Sequence, residues 1–510
     1  MVEQEATRRE VLDILYERGL IVGVEELEKI LTLPEPVKIA RLLSQKFEDR
    51  FLSLEDIQSV TGGYTTQEAM AQNLIVATEV DQVLASPAGE VREQRRMLEI
   101  LEPEKIKLYN ADEKNCIKPT PELYSQLFLD RYRQIKSILS RLGIKPIMPI
   151  KTVKKLGKRG SGEKSDFIIV GIVNDAVKTK NGTGTILELE DDSGEKIKAH
   201  VPERYAKYFI KDSVVAIRGT LSLARDEEII YASDVTFPDI PAIERKINRS
   251  RNPGALLCIS DIHVGSRTFL YPIWDAFTDW LNGNSPEAKK VKYIVVAGDL
   301  VDGIGVYPNQ EEELEIDDIY EQYKELARLF SQIPEHIGII VIPGNHDAVR
   351  QAEPQPPLPM EIQQILGERV LCYSNPCYLK IEGVKILLYH GRSFDDIVEQ
   401  GQPYLSYSRP TKMMKELLKL RHLAPTYGGK TPIAPMERDF LVIDDVPDIF
   451  VAGHVHTFDA ETYRGTVMVN ASTWQSQTEF QKQLNITPMP GYVFYYELDT
   501  GNYKALSFLS

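Results

Sequence analysis

The second half of the chain is marked by short apolar runs: Leu256 to Ile259, Tyr293 to Ala297, Ile337 to Ile342, Ile386 to Tyr389 and Ile449 to Ala452. Runs this brief, with no charge inside them, are what strands buried on both faces require. Each stops abruptly at glycine, proline or a small polar residue. Between them lie longer stretches with helical spacing, Glu313 to Phe330, Met360 to Leu366 and Thr411 to Leu420. Strands alternating with helices predict a layered α/β domain over residues 250–510.

Upstream the period changes. From Asp166 to Pro238 the chain alternates apolar and polar positions in β-branched segments: Phe167 to Val173, Thr185 to Leu189, Lys196 to Val201, Val214 to Leu221 and Glu228 to Ala232. Turn signals stand at Asn181-Gly182 and Ser193-Gly194, and a short helical insertion is expected near Tyr205 to Phe209. Strands in that number and spacing predict an OB-fold barrel over residues 165–240. Its strands offer Phe167, Tyr231 and Phe237 without interleaved arginine or lysine, which favours packing over stacking on a nucleic-acid strand.

Before the barrel, Thr120-Pro121 has the form of a helix start. Leu123, Leu127, Ile135, Ile138, Leu139 and Leu142 form one stripe of the helix 120–142, and Gly143 ends it. Lys151 to Lys164 holds six basic residues against one acid, with glycines between. That stretch reads as a solvated linker, or alternatively as a flexible arm that touches phosphates. Residues 76–119 are weakly periodic and broken by Pro87, Gly89 and Pro103, so 76–164 is expected to be a linker carrying one helix. Residues 1–75 read as a small helical module, with a Thr7–Glu10 capping box and amphipathic pieces at Val24 to Leu31 and Val37 to Phe47. Its surface is not basic, which favours protein contacts over DNA reading.

Composition narrows the picture. The 510 residues suit about three domains, and 43% hydrophobic with 26% charged residues is a soluble globular balance. No run has the length of a membrane span, the start MVEQEATRRE lacks an apolar signal core, and four cysteines fit a reducing, cytoplasmic setting. The net charge of −15 excludes a freestanding nucleic-acid binder with a broad basic face. Any nucleic acid must then be held by local patches, metals or a partner.

The chemistry sits where the apolar runs stop. Asp261-Ile262-His263, Gly298-Asp299-Leu300-Val301-Asp302, Gly344-Asn345-His346-Asp347, His390-Gly391 and Gly453-His454-Val455-His456 each come directly after one run. Five of the eight histidines fall in these turns; His200, His336 and His422 lie elsewhere and read as ordinary hydrogen-bonding residues. Carboxylate, imidazole and amide oxygen together are a donor set for hard or borderline divalent metals. The inventory suffices for two ions, one on Asp261, His263, Asp299 and His456, the other on Asp299, Asn345, His390 and His454. Asp299 directly follows the strand glycine and is the natural bridge. Two such ions activate water and neutralise the oxygens of an in-line phosphoryl displacement. His346 is left over as a proton donor to the leaving oxygen, with Asp347 placed to orient its ring. Asp302 and Asp347 also have a plainer reading as turn caps.

These five motifs resemble the calcineurin-like metallophosphoesterase superfamily, whose pattern D-x-H, G-D-x-x-D, G-N-H-D/E, H and G-H-x-H is present throughout. The resemblance implies a four-layer fold with two central sheets and phosphoester hydrolysis. Longer strings, from Gly298 to Gln310, from Gly344 to Pro357 and from His422 to Pro435, resemble the small-subunit family of archaeal D-family DNA polymerases. That resemblance implies a metal-dependent 3′→5′ exonuclease using two divalent ions, manganese before iron, zinc or magnesium. It implies single-stranded or mismatched DNA 3′ ends as substrate and a large catalytic polymerase subunit as partner. Relatives without the metal ligands serve as inactive scaffolds; every ligand is retained here. In Tyr389 to Asp396, Arg392 is placed to contact a phosphate and Phe394 to stack on a terminal base, each against a structural alternative.

Overall fold

In the structure, a computed structural model, the alternating segments after Asp166 close into a barrel. Strands β2 (Phe167–Lys178), β3 (Gly184–Glu190), β4 (Lys196–Pro202), β5 (Val214–Ala224) and β6 (Glu227–Thr236) take the order β2-β3-β4-β6-β5, with β5 returning to β2. Alternate residues point inward, so Ile169, Val173, Leu187, Leu189, Ile197, Ala199, Val215, Ile217 and Ile230 form one buried core. Phe167 joins that core, Phe237 stacks on Phe209, and Tyr231 stays exposed beside His200.

The structure describes residues 119–510, apart from 159–165, 181, 206–208, 225–226, 242–246, 402–403, 484–485 and 510, together with Glu104–Lys107 and scattered positions between 11 and 46. The chain divides into two compact units, Met1–Arg96 and Met97–Ser510. In the first, helix α1 (Pro36–Lys46) buries Ile39, Ala40 and Leu43 along one stripe. The Thr7–Glu10 capping pair, most of Val24 to Leu31 and most of the insertion 205–209 lie outside the described residues.

Two pieces of the expected linker are built into the second unit. Strand β1 (Glu104–Lys107) pairs antiparallel with β11 (Cys377–Ile381) at the edge of a sheet. The basic stretch is no free arm over its first part: Ile150–Lys158 is a helix, α3, with Ile150 and Val153 packed into the barrel core. Apolar residues three apart outweighed the lysines between them, because burying both against the barrel is worth several kcal/mol, roughly 1.5–3 each. Asp191 caps this helix by accepting the Ile150 amide at 2.8 Å.

Helix α2 (Pro121–Arg141) starts at Thr120, whose Oγ1 accepts the Leu123 amide, and buries Leu127, Ile135, Ile138 and Leu139 as its spacing predicts. It also buries Arg131, which the apolar stripe did not include. The guanidinium meets Asp439 at 2.8 Å and donates to the carbonyls of Pro425 at 2.6 Å and Asp212 at 3.2 Å. His422 completes the cluster at 2.9 Å from Asp439. This helix therefore joins the barrel to the C-terminal part of the chain.

That C-terminal part is a mixed α/β unit of two six-stranded sheets. One runs β10 (Val370–Cys372), β9 (Gly338–Ile342), β8 (Val291–Ala297), β7 (Ala255–Ile259), β16 (Tyr492–Glu497) and β17 (Tyr503–Ser507). The other runs β1, β11, β12 (Val384–Leu388), β13 (Ile449–Ala452), β15 (Thr466–Asn470) and β14 (Asp459–Tyr463). Leu256, Val295 and Ile340 of the first share a buried core with Leu379, Ile386 and Val451 of the second. Their alternate neighbours Leu257, Ile294 and Ile339 pack on α4 (Tyr271–Asn282) and α5 (Ile319–Ser331). The outer face of the second sheet packs on α6 (Phe394–Val398) and α7 (Pro410–Leu420). The helix expected from Glu313 starts only at Ile319, because Asp318 caps it by accepting the Tyr320 and Glu321 amides. Among the described residues no helix is long and apolar enough to cross a membrane.

Candidate metal and active site

Strands β7, β8 and β9 run parallel, as do β12 and β13, so five strand ends open on one side. Each delivers one predicted motif. Asp261, His263, Asp299, Asn345, His346, His390, His454 and His456 are brought together from positions nearly 200 residues apart. Asp261, His263 and His456 converge, as do Asp299, His390 and His454. His263 Nε2 lies 3.0 Å from His456 Nε2, and His390 Nε2 lies 3.3 Å from Asp299 and 3.1 Å from the Asn345 side-chain oxygen.

The backbone is bent to make this happen. Asp261, His263, Asp299, His454 and His456 all have positive φ, between 49° and 72°. Non-glycine residues in that region cost on the order of 1–3 kcal/mol each and persist where function requires them. The motif glycines have a separate reason. A Cβ on Gly344 would run into the Asp299 carboxylate, and one on Gly453 into Ser260 and Asp261.

Outer hydrogen bonds fix the imidazoles. His390 Nδ1 donates to the Ala297 carbonyl at 2.8 Å, which turns Nε2 toward Asp299. Asp302 accepts from His263 Nδ1 at 3.1 Å, and its backbone carbonyl accepts from His346 Nδ1 at 2.7 Å. Asp302 thus does more than cap a turn. It is itself held by the Gln310 and Gln475 side chains at 3.0 and 3.2 Å. Asp395 plays the same part for His454, at 3.3 Å from its Nε2, and accepts the Tyr407 hydroxyl at 2.9 Å. Sequence reasoning missed Asp395, Tyr407 and Lys430 at this site; their signal is the string Arg392 to Asp396 and the Gly428-Gly429-Lys430 turn, which no spacing rule connects.

Two expected roles are corrected. Asp347 does not orient His346. Its carboxylate accepts the Gly344 and Leu300 amides at 2.8 and 3.2 Å and the Tyr323 hydroxyl at 2.9 Å, so it braces the turn from behind. Burial, then the charge of Asp299, pushes its carboxyl up to about 7. Phe394 is fully buried in the core under β12 and cannot meet a base. Arg392 does reach the site, where its Nη1 donates to Gln351.

The charges fit divalent cations. Asp261 and Asp299 are buried, and their ion-pair partners are imidazoles. Burial alone would raise the Asp299 carboxyl, yet His390 and His346 outweigh it and hold it well below the carboxylate range. For His390 burial works downward, and Asp299 reverses it to about 10. Carboxylates, an amide oxygen and imidazoles gathered this deep suit divalent cations, which take a donor set of Asp, Asn and His. The site opens into a cavity of about 410 Å³, bordered by Tyr307, Arg392, Tyr407 and Lys430.

The comparisons with known proteins agree with these elements. The DNA polymerase alpha/epsilon B-subunit family matches residues 256–460. The DNA polymerase II small subunit of Archaeoglobus fulgidus is 48% identical over 65% of this chain and 68% of its own length. That of Thermoplasma acidophilum is 39% identical over 74% of this chain and 76% of its own. The chain belongs to the archaeal DNA polymerase small-subunit family. The small subunit of Methanocaldococcus jannaschii is 44% identical over 74% of this chain, which reaches 64% of that relative's length. Among solved structures, an archaeal phosphodiesterase aligns along 50% of this chain at 12% identity and a TM-score of 0.26, too slight a likeness to carry an argument. In this small-subunit chain the five motifs that form the site all lie within the matched family region.

Proposed function

We propose that the chain is a metal-dependent 3′→5′ DNA exonuclease, the proofreading subunit of a polymerase whose large subunit is its partner. The observation that carries this is the convergence of Asp261, His263, Asp299, Asn345, His390, His454 and His456 on one cavity, with His346 beside them. In this reading the barrel is an OB-fold, and the two sheets with their outer helices form the four layers of a calcineurin-like phosphoesterase. The domain division proposed is 1–75, 76–164, 165–240 and 250–510, with β1, α2 and α3 ordered inside the second segment.

Asp261, His263, Asp299 and His456 would hold one divalent ion, and Asp299, Asn345, His390 and His454 the other, manganese being the first choice. When bound, such ions activate water and neutralise phosphoryl oxygens. The chain's own residues supply the rest. Asp302 keeps His263 in the right tautomer, and the Ala297 carbonyl does so for His390. His346 Nδ1 donates to the Asp302 carbonyl, which leaves Nε2 as the position that would carry the transferable proton at the cavity. That proton is available to the departing 3′ oxygen, a contribution of about 10²–10⁴ in rate. Arg392 is placed for a phosphate oxygen once Gln351 releases it.

The net charge of −15 repels DNA at long range, which supports delivery of the 3′ end by a basic partner. The test is full-length protein with 3′-labelled single-stranded and mismatched DNA, with and without Mn²⁺. Stepwise shortening from the 3′ end is expected only with metal. Hydrolysis of bis-p-nitrophenyl phosphate without DNA cleavage would replace this reading by a general phosphodiesterase, and no hydrolysis of either by a non-catalytic scaffold.

A further inference from the structure

The string Gly428-Gly429-Lys430 has no part in the metal cluster, yet it ends at the cavity. The turn is anchored at both ends by buried carboxylates. Asp212 accepts the Tyr427 amide at 2.9 Å, and Asp396 accepts the Lys430 and Thr431 amides at 2.6 and 3.2 Å. Gly429 packs so closely on Asp396 that a Cβ there would collide with its Oδ1. The backbone of Lys430 is therefore rigid. Its side chain is not: the ammonium pairs with Glu399 at 2.9 Å, and both side chains are about half exposed, 51% and 52%. An ion pair that exposed is worth roughly 0–1 kcal/mol and exchanges readily.

Among the described residues, Lys430 and Arg392 are the lysine and arginine that border the cavity. The candidate metal ligands are nearly all buried, whereas Lys430 stands at the rim. Asp395, the acid beside it, is already occupied by Tyr407 and His454. A rim cation on a fixed turn, held by a weak exchangeable partner, matches an anion just outside the reacting centre.

We propose that Lys430 forms a phosphate subsite for a second phosphodiester of a polynucleotide strand, Glu399 giving way when the strand binds. This rests on the phosphodiesterase reading above and adds a preference for polynucleotides over single phosphodiesters. With cleavage at the 3′ end, the remaining phosphates all lie on the 5′ side, so Lys430 marks the side on which the retained strand leaves.

The test compares full-length wild type, Lys430→Ala and Glu399→Gln in two assays. In metal-free binding of fluorescent single-stranded DNA, Lys430→Ala should weaken binding by about tenfold and reduce the salt slope by about 0.7, the value for one phosphate contact on a single strand. Glu399→Gln should tighten binding. In Mn²⁺-supported turnover, Lys430→Ala should raise KM for the oligonucleotide at least about fivefold more than for bis-p-nitrophenyl phosphate. Equal effects on both substrates, an unchanged salt slope, or no tightening in Glu399→Gln would overturn the subsite. If wild type cleaves neither substrate while Lys430→Ala still weakens DNA binding with the smaller slope, the subsite stands and the nuclease reading falls.

Discussion

Replacing Asp395 by alanine removes the acceptor that holds His454 Nε2 and leaves the Tyr407 hydroxyl without its 2.9 Å partner. Asp395 meets His454, which groups with Asp299 and His390 and not with Asp261, His263 and His456, so the two halves of the site should respond differently. Loss of an outer hydrogen-bond partner typically weakens a metal site by about 10–100-fold. The contact here is 3.3 Å long with the two side chains 15% and 26% exposed, which puts the effect at the lower end. About tenfold, or ~1.4 kcal/mol, is expected. Tyr407→Phe removes one hydroxyl and should cost about half as much. Calorimetric titration of metal-free protein with Mn²⁺ resolves the two sites. One binding step should weaken about tenfold in Asp395→Ala while the other keeps its affinity. Equal weakening of both steps, or of neither, would refute the assignment of Asp395 to His454.

Further outcomes rest on the same contacts. His346→Ala should retain its metal content, read by elemental analysis, while turnover falls by about 10²–10⁴. Arg131→Ala leaves the buried Asp439 carboxylate without its guanidinium and should destabilise the second unit by roughly 3–5 kcal/mol in chemical denaturation. Glu353 is buried with Tyr389 donating to it at 2.9 Å, and burial pushes its carboxyl up to about 7. Its folded pKa thus exceeds the unfolded one, so its contribution is complete below about pH 4.5 and is lost as pH rises toward 7. That loss is about 3 kcal/mol. Glu353→Gln should flatten this pH dependence in thermal melts between those values.

Much of the site was legible because its ligands follow strand ends, where apolar runs announce the strand and the next polar residues must face the opening. Asp261, Asp299 and His390 could be read that way. Phe394 could not, since one apolar residue after a glycine turn carries no sign of which face it takes; only the helix it begins shows that it points into the core. Asp347 misled for a related reason. Neighbours in a tight turn diverge, so the carboxylate next to His346 in sequence faces away from it in space. Asp395, Asp396 and Lys430 act across the fold, and no local period links 395 to 454 or 396 to 430. The lysines after Ile150 mask a helix whose buried apolar signal is the three-residue spacing of Ile150 and Val153. The barrel strands were the easiest to read, because a period of two with one face buried leaves few alternatives.

The central claim is a pair of ions sharing the carboxylate of Asp299, and metal content of the Asp299→Ala chain tests it most directly. Metal-free wild type and variant would be reconstituted with excess Mn²⁺, desalted, and analysed for manganese per chain. The account predicts two per chain in wild type and a fall toward none in Asp299→Ala, with 3′ shortening of DNA lost in parallel. Two manganese ions per chain in Asp299→Ala would contradict it.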